Sequence, residues 1–368
     1  MKGIECIELR KFITEYKQKN EKNEFKPVAV GKYGIRTRES IYSKELAKDY
    51  SKNKIIFKNT LTVGMGSRQI DIGILTDDVI YSVSPAYHTY KISGINADYL
   101  RYCLMCRNED MFKRFVKRGS RQGKSIDLKR WLEYEIPVYD VCNQEKIVLK
   151  LNKVTNVISM RKQQLQKLDE LIQARFVELF GNESNPKAWE IVNVESVADV
   201  QVGVVIKPSQ YYTDAIDGIK AFRSLNVGEG FIKDENWVYF TKEGHKKNAK
   251  SVLKENDLLI VRSGAPGTAC VVTKEYEGCN AIDIIIAHPN CEKVNPYYLC
   301  AYTNMPHGKK QINEGTGGAA QQHFNVTKYN KLQLMLPPMK LQDEFVTFVN
   351  QVNKSKFVGF SFRDFFTT

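Results

Sequence analysis

Long apolar runs are missing from this 368-residue chain, and its mean hydropathy is −0.40, so no stretch reads as a membrane span. The opening residues, MKGIECIELRK, lack the apolar core of a secretion signal, and the expected compartment is the cytoplasm. Histidine is scarce, five in all, and none is spaced like a metal ligand pair. Of the eight cysteines only Cys103 and Cys106 form a CxxC. They fall in a stretch of helical period, without a second CxxC or CxxH. Buried thiols in a reducing compartment fit that pattern better than zinc. There is no Asn-Pro-Pro-aromatic tetrad to hold a flipped adenine and no Pro-Asp to open a nuclease carboxylate pattern. No Gly-rich strand-turn-helix suggests an S-adenosylmethionine pocket. Gly119–Ser125 looks like a phosphate loop but has three residues between its glycines where the motif needs four, and a helical stretch precedes it. None of these motifs marks a catalytic site, though carboxylates can also assemble from distant positions.

Acidic residues are also in short supply. Lys and Arg number 55 against 42 Asp and Glu, a net charge of +13. The excess is uneven: residues 1–180 carry 34 bases against 22 acids, and residues 181–368 carry 21 against 20. Such a balance favours a polyanionic partner, nucleic acid first. A solubility surface is the competing explanation.

What is present is a helix that organises the rest. Between Asn143 and Gly181, Ile147, Leu151, Val154, Ile158, Leu165, Leu168, Ile172 and Leu179 follow an alternating three-and-four series. Arg161 and Arg175 take its two remaining slots. A 3.5-residue period over about five heptads asks for a helical partner in a left-handed supercoil. Asn143 is expected to cap the start, and Gly181, followed by Pro186, to end the helix in the left-handed conformation. At ~1.5 Å per residue it would run about 57 Å. One large domain with a long core helix would explain the period alone.

The flanks argue against that. KNKIIFKNTLTVGMGS parallels KENDLLIVRSGAPGT, and GINADYLRYCL parallels KVNPYYLCAYT. Ile126, Leu132, Tyr134, Ile136 and Pro137 align with Val326, Leu332, Leu334, Leu336 and Pro337, each 200 positions on. After a two-residue gap, QEKIV at Gln144 matches QDEFV at Gln342. The expected fold class is thus α+β: two β-rich domains in tandem repeat, separated by long coiled-coil helices, the distal one short. The boundaries read as 1–142, 143–181, 182–340 and 341–368. Phe345, Val349 and Val352 carry the distal seam, which offers two or three heptads against five. Leu165, Leu168, Ile172 and Leu179 are expected to lie beyond its reach, against solvent, another chain or a partner subunit.

This order of elements resembles the specificity subunit of type I restriction–modification systems over nearly the whole chain. RKQQLQKLDELIQARFVELFG resembles its central conserved helix, KAWEIVNVESVADV a domain opening, and LQLMLPPMKLQDEFV the close of a target-recognition domain, with DLLIVRSGAPG between. The resemblance implies two target-recognition domains, each reading half of a split site in double-stranded DNA. It implies docking of modification (methyltransferase) subunits, two of them, and of restriction subunits. It implies no catalysis in the chain itself, S-adenosylmethionine, ATP and Mg belonging to the partner subunits. Self-association through the unpaired part of the central helix is a further expectation. Two rival readings remain: a specificity module of another methyltransferase or nuclease system, or a fused enzyme whose catalytic residues are unrecognised. A protein scaffold with an incidental basic face is a third.

Candidate DNA-contacting residues come from the loops. Arg101 to Arg130 holds ten bases and three acids. Within it Arg118, Arg121, Gln122 and Lys124 form the loop that corresponds to GTGGAAQQH, where Gln321, Gln322 and His323 can read base edges. Arg68-Gln69 and Arg262-Ser263 fall in matching loops of the two halves, and Arg36, Arg38 and Arg223 complete the set.

Overall fold

Period-two alternation builds a four-stranded antiparallel sheet in each half of the chain. The computed structural model describes residues 5–32, 34–41, 49–119, 123–182, 184–314 and 324–357. They divide into two units, residues 1–160 and 161–368. The nine helices of these described residues are α1 (Ala97–Cys106), α2 (Asn108–Phe115), α3 (Leu128–Leu132), α4 (Val141–Phe180), α5 (Lys242–Lys247), α6 (Pro296–Asn304), α7 (Pro306–Glu314), α8 (Val326–Asn330) and α9 (Met339–Phe357).

In the first unit the strand order is Ile13–Glu15, His88–Ile92, Thr60–Met65, Ile70–Leu75. Leu61, Val63, Ile70 and Ile72 turn one face onto Leu100 and Leu104 of α1, Met111 and Phe115 of α2, and Trp131 of α3. The other face meets the hairpin of Val28–Gly31 and Gly34–Thr37. Gly73 is needed there, since a Cβ would stand 2.6 Å from Ile35.

The second unit repeats that sheet as Ala198–Val202, Ile284–Pro289, Leu258–Val261, Ala269–Val271. The central strand alternates strictly: Leu258 and Ile260 join the core of Phe176, Phe180, Tyr298 and Phe345. Leu259 and Val261 join Phe222, Tyr276 and Ile286 on the opposite side. A second four-stranded sheet, ordered Tyr212–Thr213, Val238–Phe240, Ile219–Phe222, Asn280–Ala281, extends that side.

The repetition reaches individual hydrogen bonds. Gln144 is buried; its Oε1 accepts the backbone N–H of Asn96 at 2.9 Å and its Nε2 donates to the Tyr139 carbonyl at 2.6 Å. Gln342 does the same with Asn295 and Pro337, both at 2.8 Å. Asn96 and Asn295 in turn cap α1 and α6. The Tyr99 hydroxyl donates to the Pro137 carbonyl, as Tyr298 does to Met335. The Asn108 side chain brackets the backbone of Ile70, as Asn304 brackets Ala269.

These contacts correct the alignment. The cap residues Asp127 and Asn325, the buried Trp131 and Tyr329, and Gln144 and Gln342 are each 198 positions apart. The Leu9 N–H bonds Tyr134 O and the Val194 N–H bonds Leu332 O, and these two carbonyls are also 198 apart. Ile136 therefore matches Leu334, not Leu336, and no gap precedes Gln144. Prolines at 137 and 337 drew the sequence alignment two residues off.

α4 is one unbroken helix of 40 residues, about 60 Å long at the usual rise. It starts two residues before Asn143. Asp140 is the cap: its carboxylate accepts the Asn143 N–H at 3.0 Å, and that bond holds its pKa below the usual range. Gly181 ends the helix as expected, with φ +89° and its N–H on Val177 O at 2.8 Å.

Within the second unit α9 lies antiparallel to the C-terminal half of α4. Arg175 bonds Glu344 at 2.6 Å near one end of the pair, and Arg161 donates to Lys356 O at 2.6 Å near the other. Lys356 also pairs with Asp169. Phe345 and Val352 are buried, Val349 is half-buried, and Ile172 and Leu179 pack on the same core. Leu165 and Leu168 are half-buried too. The expectation that these four α4 positions lie beyond the distal helix is thus reversed. The uncovered part of the seam is the N-terminal half, where Leu151, Val154 and Ile158 are exposed, while Ile147 packs on the first unit's core.

Candidate nucleic-acid interface and helical spacer

In the first unit two hairpins meet. The turn between Thr60–Met65 and Ile70–Leu75 is tight: the Gly66 N–H bonds Gln69 O at 3.1 Å. A Cβ on Gly66 would stand 2.6 Å from the Asp71 carboxylate. Asp71 also takes a hydrogen bond from the Gln69 side chain. Burial outweighs that bond and pushes the Asp71 pKa up.

The second hairpin pairs Val116–Gly119 with Gly123–Ile126, Arg118 opposite Lys124. Lys124 reaches across and donates to Ser67 O at 2.5 Å, its ammonium 5.4 Å from the Phe112 ring. The structure therefore brings Arg68, Gln69 and Lys124 together, with Arg68 exposed. Arg121, Gln122 and the Arg118 side chain lie outside the described residues. Gly119 and Gly123 face each other across a β-hairpin, so the loop-then-helix geometry that cradles phosphate is not formed here.

The surrounding charge is less free than its sequence count. Lys113 pairs with Glu109, Arg114 with Asp110, Lys117 with Asp127 and Arg101 with Asp98. Arg36 and Arg38 line separate cavities of this unit, Arg36 beside Arg101 and Met105, Arg38 beside Gly64 and Tyr87. The Arg38 guanidinium lies 5.4 Å from the Tyr50 ring.

In the second unit the cationic candidates are engaged with the protein. Arg223 donates to Asn236 O and heads the turn Ser224–Asn226. Arg262 sits in the turn between Leu258–Val261 and Ala269–Val271, the counterpart of the Arg68 turn, with Ser263 half-exposed beside it. It pairs with Asp283 and donates to Phe324 O at 3.4 Å. Gln321, Gln322 and His323 lie outside the described residues. Sequence reading missed Ser67, Asp71, Asp283 and Phe324. Each acts through a contact distant in the chain, and no local pattern marks them.

Among the described residues no group of three or more His, Cys, Asp or Glu is placed to hold a metal ion. Cys103, Cys270, Cys279 and Cys300 are buried, and burial pushes the Cys279 thiol up to about 11 and that of Cys300 to about 12. Those thiols stay protonated at neutral pH. No described helix is long and apolar enough to cross a membrane.

The two matched frameworks find a direct parallel. Residues 7–170 and 186–357 each match the type I restriction modification DNA specificity domain. The chain belongs to that family. Among individual relatives, the specificity subunit of the type I restriction enzyme MjaVIII of Methanocaldococcus jannaschii is 24% identical over 148 residues, covering 37% of this chain and 34% of that protein. The EcoBI specificity subunit of Escherichia coli is 20% identical over 167 residues, covering 45% and 35%. The chain thus spans about a third of the length of the curated relatives it matches. In fold it is similar to the S subunit of a type I system from M. genitalium, with TM-score 0.56, 12% identity, and 97% and 91% of the two chains covered. A chain from a structural study of type I complex assembly and conformational transition gives TM-score 0.52 at 15% identity, with the same coverage. The two tandem specificity domains are the sequence-level expectation met.

Proposed function

We propose that this chain is the DNA specificity subunit of a type I restriction–modification complex and that each unit reads one half of a split site. The observation that carries this is the duplicated framework, Gln144 with Asn96 and Gln342 with Asn295, each inside a matched specificity domain. In the first unit Arg68, Gln69 and Lys124 form the reading edge, together with Arg118, Arg121 and Gln122, which neighbour Lys124 in sequence. In the second, Ser263, Gln321, Gln322 and His323 belong to the corresponding loops. Arg36, Arg38 and Arg223 are secondary contacts to the backbone. Phosphate contacts supply affinity, and groove contacts supply sequence.

α4 sets the spacing between half-sites. The exposed apolar stripe of Leu151, Val154, Val157 and Ile158 docks modification subunits, and restriction subunits join that assembly. Methyl transfer with S-adenosylmethionine, and ATP- and Mg-dependent cleavage, belong to those partners; the chain itself is non-catalytic and works in the cytoplasm.

The test is genome-wide base modification in a host carrying the matched modification subunits, with and without this chain. A chain-dependent, split and asymmetric motif is expected. Absence of chain-dependent methylation would overturn the reading, and methylation by the purified chain alone would establish an enzyme instead.

A further inference from the structure

Arg262 was a natural choice for a DNA contact: an arginine beside glycines at a hairpin turn. Its surroundings tie it to the protein as well. The side chain is 17% exposed and pairs with Asp283, which precedes the strand Ile284–Pro289. The same guanidinium donates to Phe324 O at 3.4 Å, and the Phe324 N–H returns a bond to Arg262 O at 3.3 Å. Phe324 is itself buried.

Asp283 is held in the left-handed region, φ +50°, a conformation that costs most residues energy and that Asp and Asn tolerate. Its N–H is fixed by Val204 O at 3.1 Å. On the far side of the turn Gly267, φ +82°, lies so close to Ile312 of α7 that a Cβ would stand 2.6 Å from Ile312 Cδ1. One turn, residues 262–267, therefore seats both the end of α7 and the chain entering α8.

We infer that Arg262 is a positioning residue of the second specificity domain: it ties the hairpin turn, Asp283 and Phe324 into one junction and sets second-half-site discrimination without touching DNA. This rests on the specificity reading above. Nε and one terminal nitrogen of Arg262 are committed to the Phe324 carbonyl and the Asp283 carboxylate, which also offsets its charge and fixes the direction of the guanidinium. Asp283, a carboxylate, would be a poor neighbour for DNA but is the right partner for such a strut.

The test uses the assembled modification complex and duplexes carrying the wild-type motif or single mismatches in either half. Arg262→Ala and Asp283→Asn should each relax discrimination at the second half-site by about tenfold, part of what one base pair normally contributes. The first half-site should keep its discrimination, and the salt dependence of binding should not change. Val294→Ala, which opens the same unit's core elsewhere, should lower Tm without moving discrimination. A fall of about 0.9 in the log–log salt slope for Arg262→Ala with a silent Asp283→Asn would make Arg262 a phosphate contact and overturn the inference. So would unchanged discrimination in both variants. A wild-type complex that gives no split motif would overturn the specificity reading itself, and this inference with it.

Discussion

The two halves of the chain share a scaffold and differ at the edge. Gln144 and Gln342 make the same pair of buried bonds, and Asn108 and Asn304 bracket matching strands. The turn that follows the central strand is not shared. In the first unit it runs from Met65 to Ile70, with Lys124 tied to Ser67. In the second it runs from Ile260 to Ala269, with Arg262 tied to Asp283 and Phe324. Buried amides are costly to leave unpaired, so they fix the framework. Turn length and exposed side chains carry no such penalty, and there the halves diverge. That is the division of labour a reader of two different half-sites needs.

The largest expected effect contrasts the two stretches of the α4 seam. Phe345 is fully buried among Phe176 and Phe180, with ring centroids at 5.4 and 5.5 Å. Phe345→Ala should cost about 3–5 kcal/mol in chemical denaturation of the second unit. Val154→Ala, 56% exposed, should stay within about 0.5 kcal/mol for the isolated chain yet weaken partner docking. A large stability loss for Val154→Ala would mean that the stripe is already covered.

Next come the framework amides. Gln144→Ala and Gln342→Ala each strand a backbone N–H and a carbonyl, and each should cost about 2–4 kcal/mol, in the first and second unit respectively. Unequal losses would break the equivalence of the repeat. Lys124→Ala should be mild, about 0.5–1 kcal/mol for its bond to Ser67. It should lower binding to the first half-site while sparing the second. Equal loss at both half-sites would reduce Lys124 to non-specific charge.

These predictions separate what sequence shows from what it hides. The spacer helix was legible because its heptads and Gly181 are local signals. The α9 seam was legible for the same reason. Its register on α4 was not, because Arg161 and Arg175 find their partners some 170 to 195 residues away. The repeat was legible, but its offset was misread, because matching prolines outweighed the alternation of buried residues. Asn143 looked like a cap because Asn is a good one, yet Asp140 had already taken that place. Arg262 looked like a reader because loop arginines often are, and the contacts on which its inferred positioning role rests, Asp283 and Phe324, lie far along the chain.

The most direct measurement is the methylation motif written by a chain with four residues inserted after Asn156, clear of α9, once co-purification shows that modification subunits still dock on the interrupted stripe. The insertion lengthens the helix by ~6 Å. The account predicts both half-sites unchanged and the gap between them longer by roughly one or two base pairs at ~3.4 Å each. An unchanged gap, or a change in either half-site, would contradict two independent readers held apart by one helix.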